Sequence, residues 1–243
     1  MDADLDKNAL MRARYKIAID GPAGAGKSTV AKRVADELAY TFIDTGAMYR
    51  AAALLSMREG LPLSEPTEIA RVVANARIEL RCEESAAGRK ARVFLNGEDV
   101  SDQIRTQEVT KVVSPLSAIP AVRTSLVEQQ RRIAEGGAVV LEGRDIGTVV
   151  LPDAEVKIFL TASQEERAKR RLRDFQAMGE EADLAAILKD INERDARDSS
   201  RAIAPLKKAK DAVEINTDGL TVEEVVQQIL LICQKAARTC ASP

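Results

Sequence analysis

Tyr15-Lys16-Ile17-Ala18-Ile19-Asp20-Gly21-Pro22-Ala23-Gly24-Ala25-Gly26-Lys27-Ser28-Thr29 decides the fold. Residues 15–20 read as a short apolar strand. Gly21 to Ser28 then fit G-x-x-x-x-G-K-[ST] without a gap, a match that arises by chance in a chain of this length on the order of one per cent of the time. From Lys27 to Ala39 the apolar positions Val30, Val34 and Leu38 recur every four residues, which predicts an amphipathic helix. Strand, glycine turn and helix in that order are the context a phosphate-binding loop requires. Glycines let successive N–H groups converge on phosphate oxygens, and the helix N-terminus adds positive potential. Gly21, Pro22, Ala23, Gly24, Ala25, Gly26, Lys27, Ser28 and Thr29 are therefore expected to cradle a nucleoside triphosphate. Lys27 would reach the β- and γ-phosphates, and the Ser28 (or Thr29) hydroxyl would ligate Mg²⁺.

Outward from the loop, short apolar runs alternate with helical periodicity. Strands are expected at Tyr40–Asp44, Ala138–Leu141, Val156–Leu160 and Val213–Ile215, and a last helix carries Val222, Val225, Val226, Ile229 and Ile232. Such alternation predicts an α/β fold, a P-loop NTPase-type parallel five-stranded sheet flanked by helices. One stretch breaks the rhythm: Ile78 and Leu80, then Val93 and Leu95, alternate before the turn pair Asn96-Gly97. That pattern predicts a small inserted antiparallel β domain over 72–113, leaving 15–71 and 114–237 as the core. Residues 1–14 read as a disordered lead-in. Segment 164–201 is helical and densely charged, and its blandest reading is a solvated helix face.

Composition excludes much. The chain has 243 residues, 45% hydrophobic and 30% charged, with a net charge of −2, which describes a globule with no global basic field for nucleic acid or anionic lipid. It holds no His, so neither a Ser-His-Asp relay nor a His-ligated zinc site is possible. Four Phe, three Tyr and no Trp make no stacking platform for single strands. Cys82, Cys233 and Cys240 show no C-x-x-C spacing; Cys233 reads as buried filler, and the set implies a reduced, cytoplasmic setting. No apolar run approaches the ~20 residues of a membrane span.

No N-K-x-D base-reading motif is present, which argues against a GTPase. After its apolar run, Val139-Val140-Leu141-Glu142-Gly143-Arg144-Asp145 offers a cation where a hydrolase needs a carboxylate. Further arginines stand near Tyr49-Arg50 and in Glu193–Arg201, past expected strand ends, where ligands of open α/β sheets collect. Arginine suits phosphate because its planar fork engages two oxygens. Transfer between two phosphates needs no general base, since the acceptor is already anionic, so the lack of histidine costs it nothing. A kinase for another small metabolite and a nucleotide-sensing module remain open on these residues alone.

Taken together, IDGPAGAGKST, DTGAMYR, EDVSDQIRTQEV, EGRDIGTVV, PDA, VKIFL and ERDARDSSRAIAPLKKAKDA resemble the bacterial cytidylate kinase family over about residues 15–235. The resemblance implies an ATP- and Mg²⁺-dependent transfer to CMP or dCMP by a monomer that uses neither nucleic acid nor membrane. It implies that Arg50 and Arg144 grip the CMP phosphate. Ser114, Arg123 and Asp145 would read the cytosine edge, and Thr45 and Tyr49 would line the pocket. Arg194, Asp198 and Arg201 would engage sugar and phosphates as 164–201 closes as a lid. Lys27, Arg144, Arg194 and Arg201 are the residues it assigns to catalysis. Glu142, Thr45, Asn216 and Ser28 depart from the family's commoner Asp, Ser, Asp and Gly. The first departure leaves open which acid orients Arg144.

Overall fold

The computed structural model describes residues 10, 12–85, 88–177, 179 and 181–240. The chain divides into two compact units, Met1–Phe42 with Gly136–Pro243, and Ile43–Glu135.

In the first unit β1 (Lys16–Asp20) leads through the glycine turn into α1 (Lys27–Leu38), and β2 (Thr41–Asp44) leads out of the unit. β6 (Val139–Gly143) brings the chain back, followed by a π-helical turn (Ile146–Val150), β7 (Val156–Thr161), α6 (Gln164–Ala177), α7 (Leu184–Ser199), β8 (Val213–Asn216) and α8 (Val222–Cys240). The five-stranded sheet has the order β2-β6-β1-β7-β8, and β1–β6, β1–β7 and β7–β8 all pair in parallel. The expected strands are all present, shifted by one or two residues at their ends. β1 is central, so its side chains are buried on both faces, and Ile17 and Ile19 pack with Val30, Val34 and Leu38 of α1 and with Val225, Val226, Ile229 and Cys233 of α8. Burial pushes the Cys233 thiol up to about 12, so it remains a neutral filler as expected. The other two cysteine side chains lie outside the described set, as do most residues of the expected N-terminal lead-in. Leu10 is an exception: it is buried, and its carbonyl accepts from Tyr40 Oη at 2.5 Å.

The second unit holds α2 (Thr45–Arg58), α3 (Pro66–Asn75), β3 (Ile78–Ser85), β4 (Gly88–Leu95), β5 (Glu98–Asp99), α4 (Gln107–Leu116) and α5 (Pro120–Ala134). β3-β4-β5 form an antiparallel sheet in which Ile78 faces Leu95 and Leu80 faces Val93, the alternation seen in the sequence. Asn96 and Gly97 both take positive φ (52° and 91°), but they turn β4 into the short β5. This unit is wider than the 72–113 expected from the hairpin signal. Ala47, Ala51, Ala52 and Ala53 of α2 share one buried core with Ile69, Ile78, Val93, Val113 and Leu126, so helices on either side of the sheet belong to it. The small alanines let α2 approach closely, a packing role invisible to a search for turns.

Candidate active site

The Gly21–Gly26 loop is shaped by backbone conformations that side chains tolerate poorly. Gly21, Gly24 and Gly26 adopt φ of 150°, 78° and 87°. At Gly21 a Cβ would collide with the Leu160 carbonyl of β7. Gly26 caps α1 without any side-chain hydrogen bond, and the first turn holds no acid, so the leading N–H groups of α1 are left for an anion. Lys27 is buried and folds its Nζ back to donate to the Pro22 carbonyl at 2.7 Å. Burial, then the positive Arg144 and Arg194, hold its ammonium well below the usual lysine range, while Glu142 and Asp20 oppose them. Ser28 and Thr29 are exposed at the start of the helix. An incoming polyanion would relieve this crowding of cations. Among the described residues no cluster of three His, Cys, Asp or Glu could hold a metal. The exposed Ser28 hydroxyl is a hard oxygen of the kind Mg²⁺ takes, so the residues present would fit an ion carried in on phosphate oxygens.

The sequence-predicted residues of this unit do come together. Asp198 is 2% exposed, and its two oxygens go to different arginines: Oδ2 accepts from Arg144 Nε at 3.0 Å and Oδ1 from Arg201 Nη2 at 2.6 Å. The acid that orients Arg144 is thus Asp198 on α7, fifty-four residues away in sequence, rather than the neighbouring Glu142. The Leu206 N–H donates to the Asp198 carbonyl and ties the following loop to the same point. Arg194 lies on α7 close enough to shift Lys27. Asp145 is buried where the chain leaves β6, and its carbonyl accepts from Val149 and Val150 in the π turn.

In the second unit Thr45 and Tyr49 are buried on α2, after Asp44 caps that helix by accepting from Ala47 N at 3.0 Å. The Arg123 guanidinium sits 5.7 Å from the centre of the Tyr49 ring. Its Nη1 donates to the Ser117 carbonyl at 3.5 Å, and Ser117 Oγ donates to the Ser114 carbonyl at 2.7 Å. Arg50 Nη1 donates to Thr110 Oγ1 at 2.8 Å. Tyr49, Arg123 and Ser114 thus belong to one connected patch.

Two supporting residues escaped the sequence reading. Arg167, only 3% exposed, donates from Nη1 to the Ala23 carbonyl at 3.0 Å, from Nε to Ala162 at 3.2 Å and from Nη2 to Asp195 at 2.5 Å. A Cβ on Gly24 would lie 3.1 Å from Arg167 Cβ, so this arginine packs on the phosphate loop from below. Thr217, after β8, has its hydroxyl within reach of the Thr161 carbonyl at 3.1 Å and the Ala25 carbonyl at 3.4 Å, and accepts from Arg170 at 2.9 Å. In QEERAKRRLR nothing but the adjacent small Ala168, which faces inward, hints that one arginine of four is interior.

A parallel sheet with β1 central, a glycine loop running into α1, and arginines held beside the loop lysine define a P-loop protein of the kinase type. The cytidylate kinase family model matches residues 17–235. A bifunctional pantoate ligase/cytidylate kinase of Synechococcus elongatus is 49% identical over 240 residues, covering 98% of this chain and 46% of that protein. A cytidylate kinase of a Geobacillus species is 51% identical over 222 residues, covering 91% of this chain and 97% of that one. The chain thus spans less than half the length of the bifunctional relatives. An uncharacterized protein from Eubacterium ventriosum superposes with a TM-score of 0.50 at 14% identity, over 91% of this chain and 99% of its own, a likeness of fold. The chain belongs to the cytidylate kinase family.

Proposed function

We propose that the protein transfers the γ-phosphoryl group of ATP to CMP or dCMP, giving ADP and the pyrimidine nucleoside diphosphate. The observation that carries this reading is Asp198, which presents Arg144 and Arg201 together in the unit that holds Lys27. A braced pair of guanidinium groups in that unit can neutralise an accepting phosphate, whose charge must be offset before another phosphate can approach. An oxygen of the CMP phosphate attacks the γ-phosphorus as the bond to the β,γ-bridging oxygen breaks, and the electron pair leaves on ADP. The acceptor is ionised at neutral pH, so no proton must be removed and positioning does the work. The Ser28 hydroxyl would hold Mg²⁺ together with the triphosphate, and the ion would supply charge neutralisation.

Arg144, Arg194 and Arg201 act on phosphates in this reading, with Asp198 holding two of them. Thr45, Tyr49, Arg50, Ser114, Arg123 and Asp145 take the cytidine and its phosphate. A carboxylate at 145 accepts from the cytosine amino group, where uracil carries a carbonyl, at a cost of about 1–3 kcal/mol for the wrong base. The α6–α7 pair has its own small core of Ala168, Ile187 and Ile191, which suits a segment that moves as a piece, and we assign 164–201 as the lid. No helix among the described residues is long and apolar enough to cross a membrane; we place the protein in the cytoplasm as a monomer. The test is coupled ADP release across a panel of nucleoside monophosphates. CMP and dCMP are expected to turn over, with UMP much weaker; equal rates with AMP, GMP or UMP would overturn the base assignment.

A further inference from the structure

Asp20 is the last residue of β1 and precedes the phosphate loop, yet its side chain does not serve that loop. It is 4% exposed, and Oδ1 accepts from the Ile146 N–H and Oδ2 from the Gly147 N–H, both at 2.8 Å. Those two amides open the π-helical turn directly after Arg144 and Asp145. The turn has no side-chain cap of its own, so its first donors would otherwise stay unpaired in the interior. Along the chain the turn closes with Leu151 N donating to the Ile146 carbonyl at 2.7 Å, five residues back. Gly147 also leaves room for Lys157 of β7: a Cβ there would lie 3.2 Å from Lys157 Cδ and 3.5 Å from Asp20 Oδ2.

From this geometry we infer that Asp20 is a positioning residue for the acceptor nucleotide. Its carboxylate caps the π turn from a neighbouring strand and so fixes where Arg144 and Asp145 leave β6. The inference rests on the reading above that Arg144 and Asp145 meet CMP. The two amides go to different oxygens, and the ionised carboxylate lets both accept at full strength, whereas protonation turns one of them into a donor. The charged groups acting on Asp20 are Asp145 beside the same turn and Lys27 from α1, with the Lys157 stem packed against Gly147. Burial outweighs the two amides and raises the carboxyl to about 6 from 3.8. The ionised form is therefore kept at a cost in stability, as expected of a group retained for placement rather than for folding.

The experiment compares CMP binding by calorimetry in the wild-type chain and Asp20→Asn, whose amide keeps the shape but supplies one acceptor. At about pH 7.5 the variant is expected to bind CMP about tenfold more weakly, with the affinity for a non-hydrolysable ATP analogue changed less than about threefold. As the pH falls to about 5 the gap closes, because wild-type Asp20 protonates while the titration of CMP itself is common to both proteins. No gap at the higher pH, a gap that does not change with pH, or an equal loss of both ligands overturns the inference. Should the variant fail to fold, the amide signals of Ile146 and Gly147 in the wild-type chain decide. They are expected to titrate together near pH 6, and their standing still through that range overturns it. Failure of the wild-type chain to bind CMP at all would instead strike the proposed substrate, and the amide titration would remain to judge the cap.

Discussion

The phosphate loop and the α6–α7 segment both lie in the first unit, and they encode their contribution in opposite ways. In the loop the working parts are backbone N–H groups, so the requirement falls on spacing and on positive φ at Gly21, Gly24 and Gly26. In α6 and α7 the working parts are side-chain pairs, Arg167 with Asp195, and Asp198 with Arg144 and Arg201. A spacing constraint is visible in one stretch of sequence. A pairing constraint spans elements and is hidden among the other charges of an exposed-looking helix.

The sharpest way to break this contrast is at Lys27, where the loop ends in a residue that acts through its side chain. Lys27→Met is expected to lower turnover about a thousandfold, while the thermal midpoint holds or rises, because a buried ammonium held below its usual range is removed. A parallel loss of midpoint in a melting curve would make Lys27 structural. Next comes the pairing side. Asp198→Ala strands two arginine side chains that are 19% and 13% exposed, and chemical denaturation should show a loss of about 3–5 kcal/mol. A loss below about 1 kcal/mol would mean the three groups are no more coupled than a surface pair.

A smaller, signed effect belongs to the edge between the two regions. Asp20 has its folded value raised to about 6 from 3.8, so the folded chain holds more protons between those values. Its contribution to stability is fully present below about pH 4 and is lost as pH rises through 6. Denaturation of the wild-type chain relative to Asp20→Asn should show the wild type losing roughly 1–3 kcal/mol across that window. A difference rising with pH would reverse the assignment. Smallest is Arg167→Lys, which keeps the charge but cannot span Ala23, Ala162 and Asp195 at once. ATP-analogue affinity is expected to fall about fivefold to tenfold; full retention would make Arg167 a bystander to the loop.

Much of the fold was legible because periodicity and punctuation carry it. Each expected parallel strand is found, and the Ile78–Leu95 alternation marks the small sheet. The wider extent of the second unit was not legible, since Ala51, Ala52 and Ala53 signal close packing only once a partner surface is known. Within the site, Arg144 could be named from its position after β6, but the acid that holds it could not. Asp198 and Asp195 stand in one run of alternating charge, and only tertiary packing decides that one faces Arg144 and the other Arg167. Thr217 left no trace, because its task is a few hydrogen bonds of one hydroxyl, with Arg170 and with the Thr161 and Ala25 carbonyls, and all of these partners are distant in sequence.

That the braced arginines receive a phosphate rather than guide water is decided most directly by phosphorus-31 resonance of the chain mixed with Mg·ATP and CMP. Resonances of ADP and CDP rising in equal amounts, with no inorganic phosphate, are the expected result. Inorganic phosphate growing in step with ADP while CMP stays unchanged would contradict it.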